Sequence, residues 1–163
     1  RQDALVCLTD LFGIATTAAG RSQLRDGADV LGMLDGTAEA REHLIGLYGT
    51  PGTPLFKVMV RDREWKYIFM ANGGREQLFN MAEDPNELHE CSAAHPEAVA
   101  RLRAVTESLK RPNVDRAVAD GTLQRFPSAA RPLERIYQFC GARGVHGFPA
   151  HPGDVLKGPA RPA

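Results

Sequence analysis

Three cysteines, a late cluster of histidines and an aspartate-proline turn are the residues in this sequence whose types could do chemistry. Cys7, Cys91 and Cys140 are an odd set with no C-x-x-C spacing, so they signal neither a disulfide frame nor a zinc site and read as structural thiols. His146, His151 and Asp154 could supply metal ligands, but they fall in a Gly- and Pro-rich stretch, Gly141 to Ala163, without ligand spacing. A tail draped over a neighbouring surface is the more economical reading of that stretch. Trp65, Tyr67 and Phe69 alternate along one strand and could stack on a sugar or a base, yet the same pattern is what a sheet needs to face its own core. The fourth feature is EQLFNMAEDPNELHE, Glu76 to Glu90. Asp84 precedes Pro85, which forces the chain out of helical dihedrals, and the Asp84 and Glu87 side chains are placed to accept backbone N–H groups across the turn.

The elements around these residues can be read from periodicity. Ala4 to Leu8 is an apolar run, expected as a buried strand, with Thr9 or Asp10 as helix cap. Leu11 to Ala19 follows at helical spacing, stopped by Gly20, and Gly13 inside it costs roughly 1 kcal/mol against alanine. Asp26-Gly27 is a turn pair, and Val30 to Leu34 forms a short helix closed by Gly36. Residues 42–48 read as a strand and 49–54 (GTPGTP) as a loop. Phe56, Val58 and Val60 then alternate on one face, as do Trp65, Tyr67 and Phe69 after the turn at Asp62-Arg63. Asn72-Gly73-Gly74 supplies the positive dihedrals for a hairpin into the strand around Leu78 and Phe79. His95 to Leu109 is a helix with Pro96 at its first position, Ala98, Leu102, Val105 and Leu109 on one side, and Glu97, Arg101, Arg103 and Glu107 on a solvated side. Val114 to Asp120 reads as a short helix ended by Gly121, and Leu133 to Phe139 as a short strand or helix. The expected fold class is α+β: a four-stranded antiparallel sheet packed by a helix, preceded by a strand-helix segment and followed by an irregular tail.

Twenty basic residues balance twenty acidic ones in 163, so net charge draws the chain toward neither nucleic acid nor an anionic membrane. No apolar run approaches the length of a membrane-spanning helix, and no signal segment opens the chain. The absence of an initiator Met before Arg1 is expected of a piece of something longer.

Three of these passages resemble sulfatases, sulfate-ester hydrolases of the alkaline-phosphatase-like superfamily. E-x-L-F-x-M-x-x-D-P-x-E at Glu76–Glu87 resembles the family's ELYDLxxDPxE signature near the C-terminus. ALVCLTDLFGIATTAAG at Ala4–Gly20 is similar to VSLVDLxPTLLDLAG, with Gly13 and Ile14 in place of the Pro-Thr pair, and DGADVLGMLDG at Asp26–Gly36 is similar to DGxSLxPLLxG. The likeness covers roughly residues 4 to 109 and follows the family's order.

The resemblance implies a C-terminal region made of a strand-helix remnant of the catalytic α/β domain (1–36), a sulfatase-like subdomain (37–111) and an irregular tail (112–163). It implies a parent enzyme that uses a formylglycine nucleophile and a calcium ion, with Lys and His residues from the N-terminal domain steadying the ester. None of those parts is expected here. Cys7 is followed by Leu-Thr-Asp-Leu, Cys91 by Ser-Ala-Ala-His and Cys140 by Gly-Ala-Arg-Gly, none of them the C-x-P-S-R maturation motif, and no Asp-Asp pair occurs. Glu90 stands where the family usually has Asn. No catalytic, cofactor-binding or metal residue is therefore assigned, and the chain alone is expected to be inactive. Its expected partner is the N-terminal catalytic domain, whose substrate pocket the 49–54 loop or the tail would edge. The isolated chain is expected to self-associate through residues 4–19. Two alternatives stay open: the same region of a phosphate or phosphonate ester hydrolase, and a stand-alone interaction module without catalysis.

Overall fold

The computed structural model describes residues 4–21, 23–24, 27–109 and 114–129. At its centre four strands, β1 (Leu44–Tyr48), β2 (Lys57–Arg61), β3 (Trp65–Met70) and β4 (Arg75–Asn80), pair antiparallel in chain order. This is the expected sheet. Register runs through Val58 opposite Phe69 and Val60 opposite Tyr67, with Tyr67 opposite Leu78 on the next strand. Alternation therefore puts Val58, Val60, Trp65, Tyr67, Phe69 and Leu78 on one face, and all of them are buried. The aromatic stripe is core.

The connections follow from local chemistry. Asp62 accepts the backbone N–H groups of Glu64 (2.9 Å) and Trp65 (2.6 Å), which turns β2 into β3. Gly73 (φ 78°) and Gly74 (φ 58°) make the next hairpin in dihedrals that cost a side chain energy. Helix α1 (Asp10–Ala18) packs against α2 (Val30–Asp35), and Asp29 caps α2 by accepting the Gly32 N–H at 3.0 Å. Helix α3 (Pro96–Glu107) lies across the sheet and buries Ala98, Val99, Leu102 and Thr106.

Several expectations need correction. Ala4–Leu8 is not a strand: residues 4–7 are irregular and pair with no strand among the described residues, because a ladder needs a neighbour and none is at hand. Thr9 precedes α1 in helical dihedrals and makes no capping bond, while Asp10 is already inside the helix. The core side of α3 turns toward Val99 and Thr106, with Val105 only partly buried. In place of a helix at 114–120 there is one 3-10 turn, Asp115–Ala117, and a minimal hairpin of β5 (Val118–Ala119) and β6 (Thr122–Leu123). Asp120 (φ 51°) and Gly121 (φ 76°) form its two-residue loop, so an Asp-Gly pair taken as a helix stop is a hairpin turn. Asp26, Leu133 to Phe139, Cys140, His146, His151 and Asp154 lie outside the described residues.

The second face of the sheet, away from α3, carries three transverse rows. Lys57, Met70 and Arg75 align in the first, Met59, Ile68 and Gln77 in the second, and Arg61, Lys66 and Phe79 in the third.

Candidate functional site

Two carboxylates organise the described residues, Asp10 and Glu76. Asp10 is the only buried carboxylate among them, 1% exposed. One oxygen accepts the Cys7 N–H at 2.7 Å; the other accepts the Ala28 N–H at 2.8 Å and a guanidinium N–H of Arg41. Burial works against the Asp10 charge, but those two backbone N–H groups and the Arg41 guanidinium outweigh it and hold the carboxyl below its ordinary range. The knot binds the start of α1 to the segment before α2 and to the approach to β1. Cys7 belongs to it: its Sγ lies 2.9 Å from Thr9 Oγ1 and receives an Arg41 N–H at 3.3 Å. Burial acts to raise the Cys7 thiol, and the hydrogen bonds from Thr9 and Arg41 bring it below its ordinary value.

Close packing explains two glycines here. A methyl group at Gly27 would stand 2.9 Å from the Thr9 carbonyl oxygen and 3.1 Å from Asp10 Cα. At Gly13 it would meet Leu24 Cδ2 at 3.0 Å, so the glycine that weakens α1 as a helix lets the chain after it approach.

Glu76, the first residue of the Asp-Pro stretch, is the second hub. Its Oε1 accepts the Tyr67 hydroxyl (2.6 Å) and Arg103 Nε (2.6 Å); its Oε2 accepts Arg103 Nη2 (2.9 Å) and Arg125 Nη2 (3.1 Å). β3, β4, α3 and the segment after β6 thus meet on one carboxylate. Burial opposes its charge, and the bonds from Arg103 and Tyr67 prevail, keeping Glu76 below its ordinary value. The same burial, with the Glu76 charge beside it, pushes the Tyr67 phenol far up. Arg103 is therefore no member of a solvated face, and Arg101 also pairs, with Asp62 at 2.7 Å. Arg103, Arg125 and Arg41 carry no signal in periodicity. Glu76 does: alternation puts it on the core face with Leu78, where a carboxylate must be paired.

The turn itself behaves as half expected. Asp84 accepts the His89 N–H at 2.7 Å. Glu87 accepts no backbone N–H; it takes φ 58° and pairs with Lys66 at 2.6 Å. Glu90 accepts the N–H groups of Leu78 (3.0 Å) and Ser92 (2.7 Å), which fastens the exit of the turn back onto β4. Cys91 donates to the Leu78 carbonyl at 3.3 Å.

These groups act as fasteners. Asp10 accepts three N–H bonds and Glu76 three N–H bonds and one O–H bond, and each carboxylate spends them on joining separate segments of the chain. Among the described residues no three His, Cys, Asp or Glu side chains gather to hold a metal, and neither Cys7 nor Cys91 stands in a formylglycine motif. The described residues do not fit the calcium ion and formylglycine of a sulfatase. One open cleft, lined by Arg41, His43, Asp62, Arg63, Glu64 and Arg101, holds mixed charge already partly paired. No helix among the described residues is long and apolar enough to cross a membrane.

No protein-family model matches the sequence, and no curated protein matches it. Solved structures do. A protein from Bacteroides thetaiotaomicron VPI-5482 assigned as a sulfatase superposes with a TM-score of 0.50 at 19% identity, over 73% of this chain and 30% of its own. A 2-O GAG sulfatase gives a TM-score of 0.50 at 20% identity, over 74% of this chain and 31% of its own. The match spans under a third of the length of those two structures. The chain has the fold of a segment of a sulfatase.

Proposed function

We propose that this chain is the C-terminal region of a sulfatase-like sulfuric ester hydrolase, non-catalytic by itself, which supports the catalytic domain and edges its substrate pocket. The observation that carries this reading is the contrast between a finished sheet-and-helix unit and a preceding segment whose apolar side chains point outward. Val6, Leu11 and Phe12 are exposed and Leu8 is 84% exposed, as befits a strand-helix remnant whose cover lies in another part of the parent. The three sequence passages that resemble sulfatases occur in family order, and a fold found within sulfatases accords with them.

On this reading residues 1–36 complete the catalytic α/β domain, 37–111 form the accessory subdomain, and 112–163 extend from it. The partner is the N-terminal catalytic domain, which supplies the formylglycine and the calcium ion. The 49–54 loop, whose Gly52 leaves room for the Arg116 carbonyl, is the described loop offered to the pocket rim. Without that partner the isolated chain pairs with itself through residues 4–19.

The test is hydrolysis by the complete polypeptide and by these 163 residues alone, each on an aryl sulfate and an aryl phosphonate. The complete polypeptide is expected to release sulfate and the shorter chain to release nothing. Sulfate release by the shorter chain overturns the reading; faster release of phosphonate by the complete one moves it to the phosphate and phosphonate hydrolases.

A further inference from the structure

Helix α3 covers one face of the sheet; the other carries four cations, of which Lys66 alone is paired with a carboxylate among the described residues. Its outer rows hold Lys57 and Arg75 on one side and Arg61 and Lys66 on the other, with Met59 and Ile68 half-buried in the row between. Lys57 and Arg61 are four residues apart on β2, so the basic rows are about 13 Å apart. Among the described residues the one carboxylate bonded to any of these four cations is Glu87, on Lys66. Lys57 instead sits 5.7 Å from the centre of the Tyr48 ring, and Arg75 Nη2 points at Met70 Sδ, 3.4 Å away. Arg61 Nε is buried with no hydrogen-bond partner. Apart from Lys66, these cations therefore have no carboxylate partner among the described residues, and acidic side chains on an incoming surface would supply one.

We propose that this face is a docking site for an amphipathic protein helix whose apolar stripe is flanked by Asp or Glu residues. A helix is 10–12 Å across with its side chains, so its edges reach both basic rows while its stripe lies on Met59 and Ile68. The thioether of Met59 adapts to such a surface. The floor decides between occupants: a sulfated polysaccharide gains little from Met59 and Ile68, and a second copy would bring the same cations against their like.

The test uses the 163-residue chain with labelled Met and Ile methyl groups. The probes are two synthetic helical peptides with one leucine stripe, flanked by Glu in one and by Lys in the other. The Glu peptide is expected to shift the Met59 and Ile68 resonances. It should bind about tenfold more weakly to Lys57→Glu, and the same loss should follow from raised salt. Lys57 is exposed, so that variant leaves the fold intact; Arg61→Met, which removes a cation from the other row, is expected to weaken binding as well. Equal binding of the two peptides, or of neither, overturns the proposal. So does a heparin fragment shifting Met59 and Ile68 where the Glu peptide does not, or peptide shifts confined to residues 4–19. None of these outcomes depends on the parent being a sulfatase.

Discussion

The segment from Ala4 to Ala38 and the unit from Leu44 to Glu107 are built on opposite terms. In the second, apolar side chains from four strands and α3 converge until Val60, Tyr67, Phe69, Leu78 and Leu102 are fully buried. In the first, two short helices lean on each other, Leu5 and Met33 are the buried apolar side chains, and shape is held by the hydrogen bonds of Asp10 and Asp29. A region that closes its own core is stabilised by burial, at about 25 cal/mol per Å² of apolar surface. A region that cannot close one relies on directional bonds and leaves its grease outside. On the function proposed above, the difference marks the segment that the catalytic domain would cover.

The largest effect expected from breaking this contrast is at Leu102. Leu102→Ala should cost about 3–4 kcal/mol in urea unfolding, whereas Leu8→Ala should stay within about 0.5 kcal/mol. Comparable costs at both sites would erase the distinction. Next comes Glu76→Ala, which strands the Tyr67 hydroxyl and two guanidinium groups. About 2–3 kcal/mol is expected, discounted because the Arg125 limb is half exposed. Arg125→Ala alone should cost under about 1 kcal/mol.

Acid should act in the same order. Glu76 and Asp10 are both held below their ordinary values of 4.5 and 3.8, so each binds its proton more readily unfolded than folded. Their stabilisation is complete above those values and drains away as pH falls through the lower folded ones. Thermal unfolding followed from pH 7 to pH 3 should show Tm falling below about pH 4.5, and Glu76→Gln should flatten that slope. An unchanged slope in the variant would exclude Glu76 as a source. Smaller again, Gly27→Ala should cost about 1–2 kcal/mol by pushing on the Thr9 carbonyl, and Gly13→Ala less, since it meets the tip of a side chain. Smallest in stability is Leu8→Asp with Leu11→Asp, expected to leave unfolding nearly unchanged while light scattering loses any self-associated species.

What sequence could and could not tell follows the same division. Alternation located β2 and β3 and their core face, because a sheet that packs on one side writes its burial into every second residue, and the Asn72-Gly73-Gly74 turn located β4. Gly20 and Gly36 marked the ends of α1 and α2 correctly. Ala4–Leu8 misled because a short apolar run specifies burial without naming the partner, and no partner strand is present among the described residues. Asp120-Gly121 misled because an Asp-Gly pair serves equally as a helix stop and a hairpin loop. The Asp10 knot was out of reach: Arg41 lies thirty-one residues on, and a guanidinium carries no periodic mark. Glu76 was within reach, as a carboxylate on an apolar face.

The segment after β6 has a temporal meaning. Phe126 donates its N–H to the Ala71 carbonyl (2.9 Å) and accepts the Gly73 N–H (2.9 Å), while Arg125 leans on Gly74 and Glu76. The hairpin between β3 and β4 is therefore latched by residues synthesised some fifty positions later, Arg125 standing 49 beyond Glu76. During synthesis that hairpin lacks these bonds until its clasp emerges. A protease cutting just past Ser128 would leave the latch shut, whereas one cutting ahead of Gln124 would spring it.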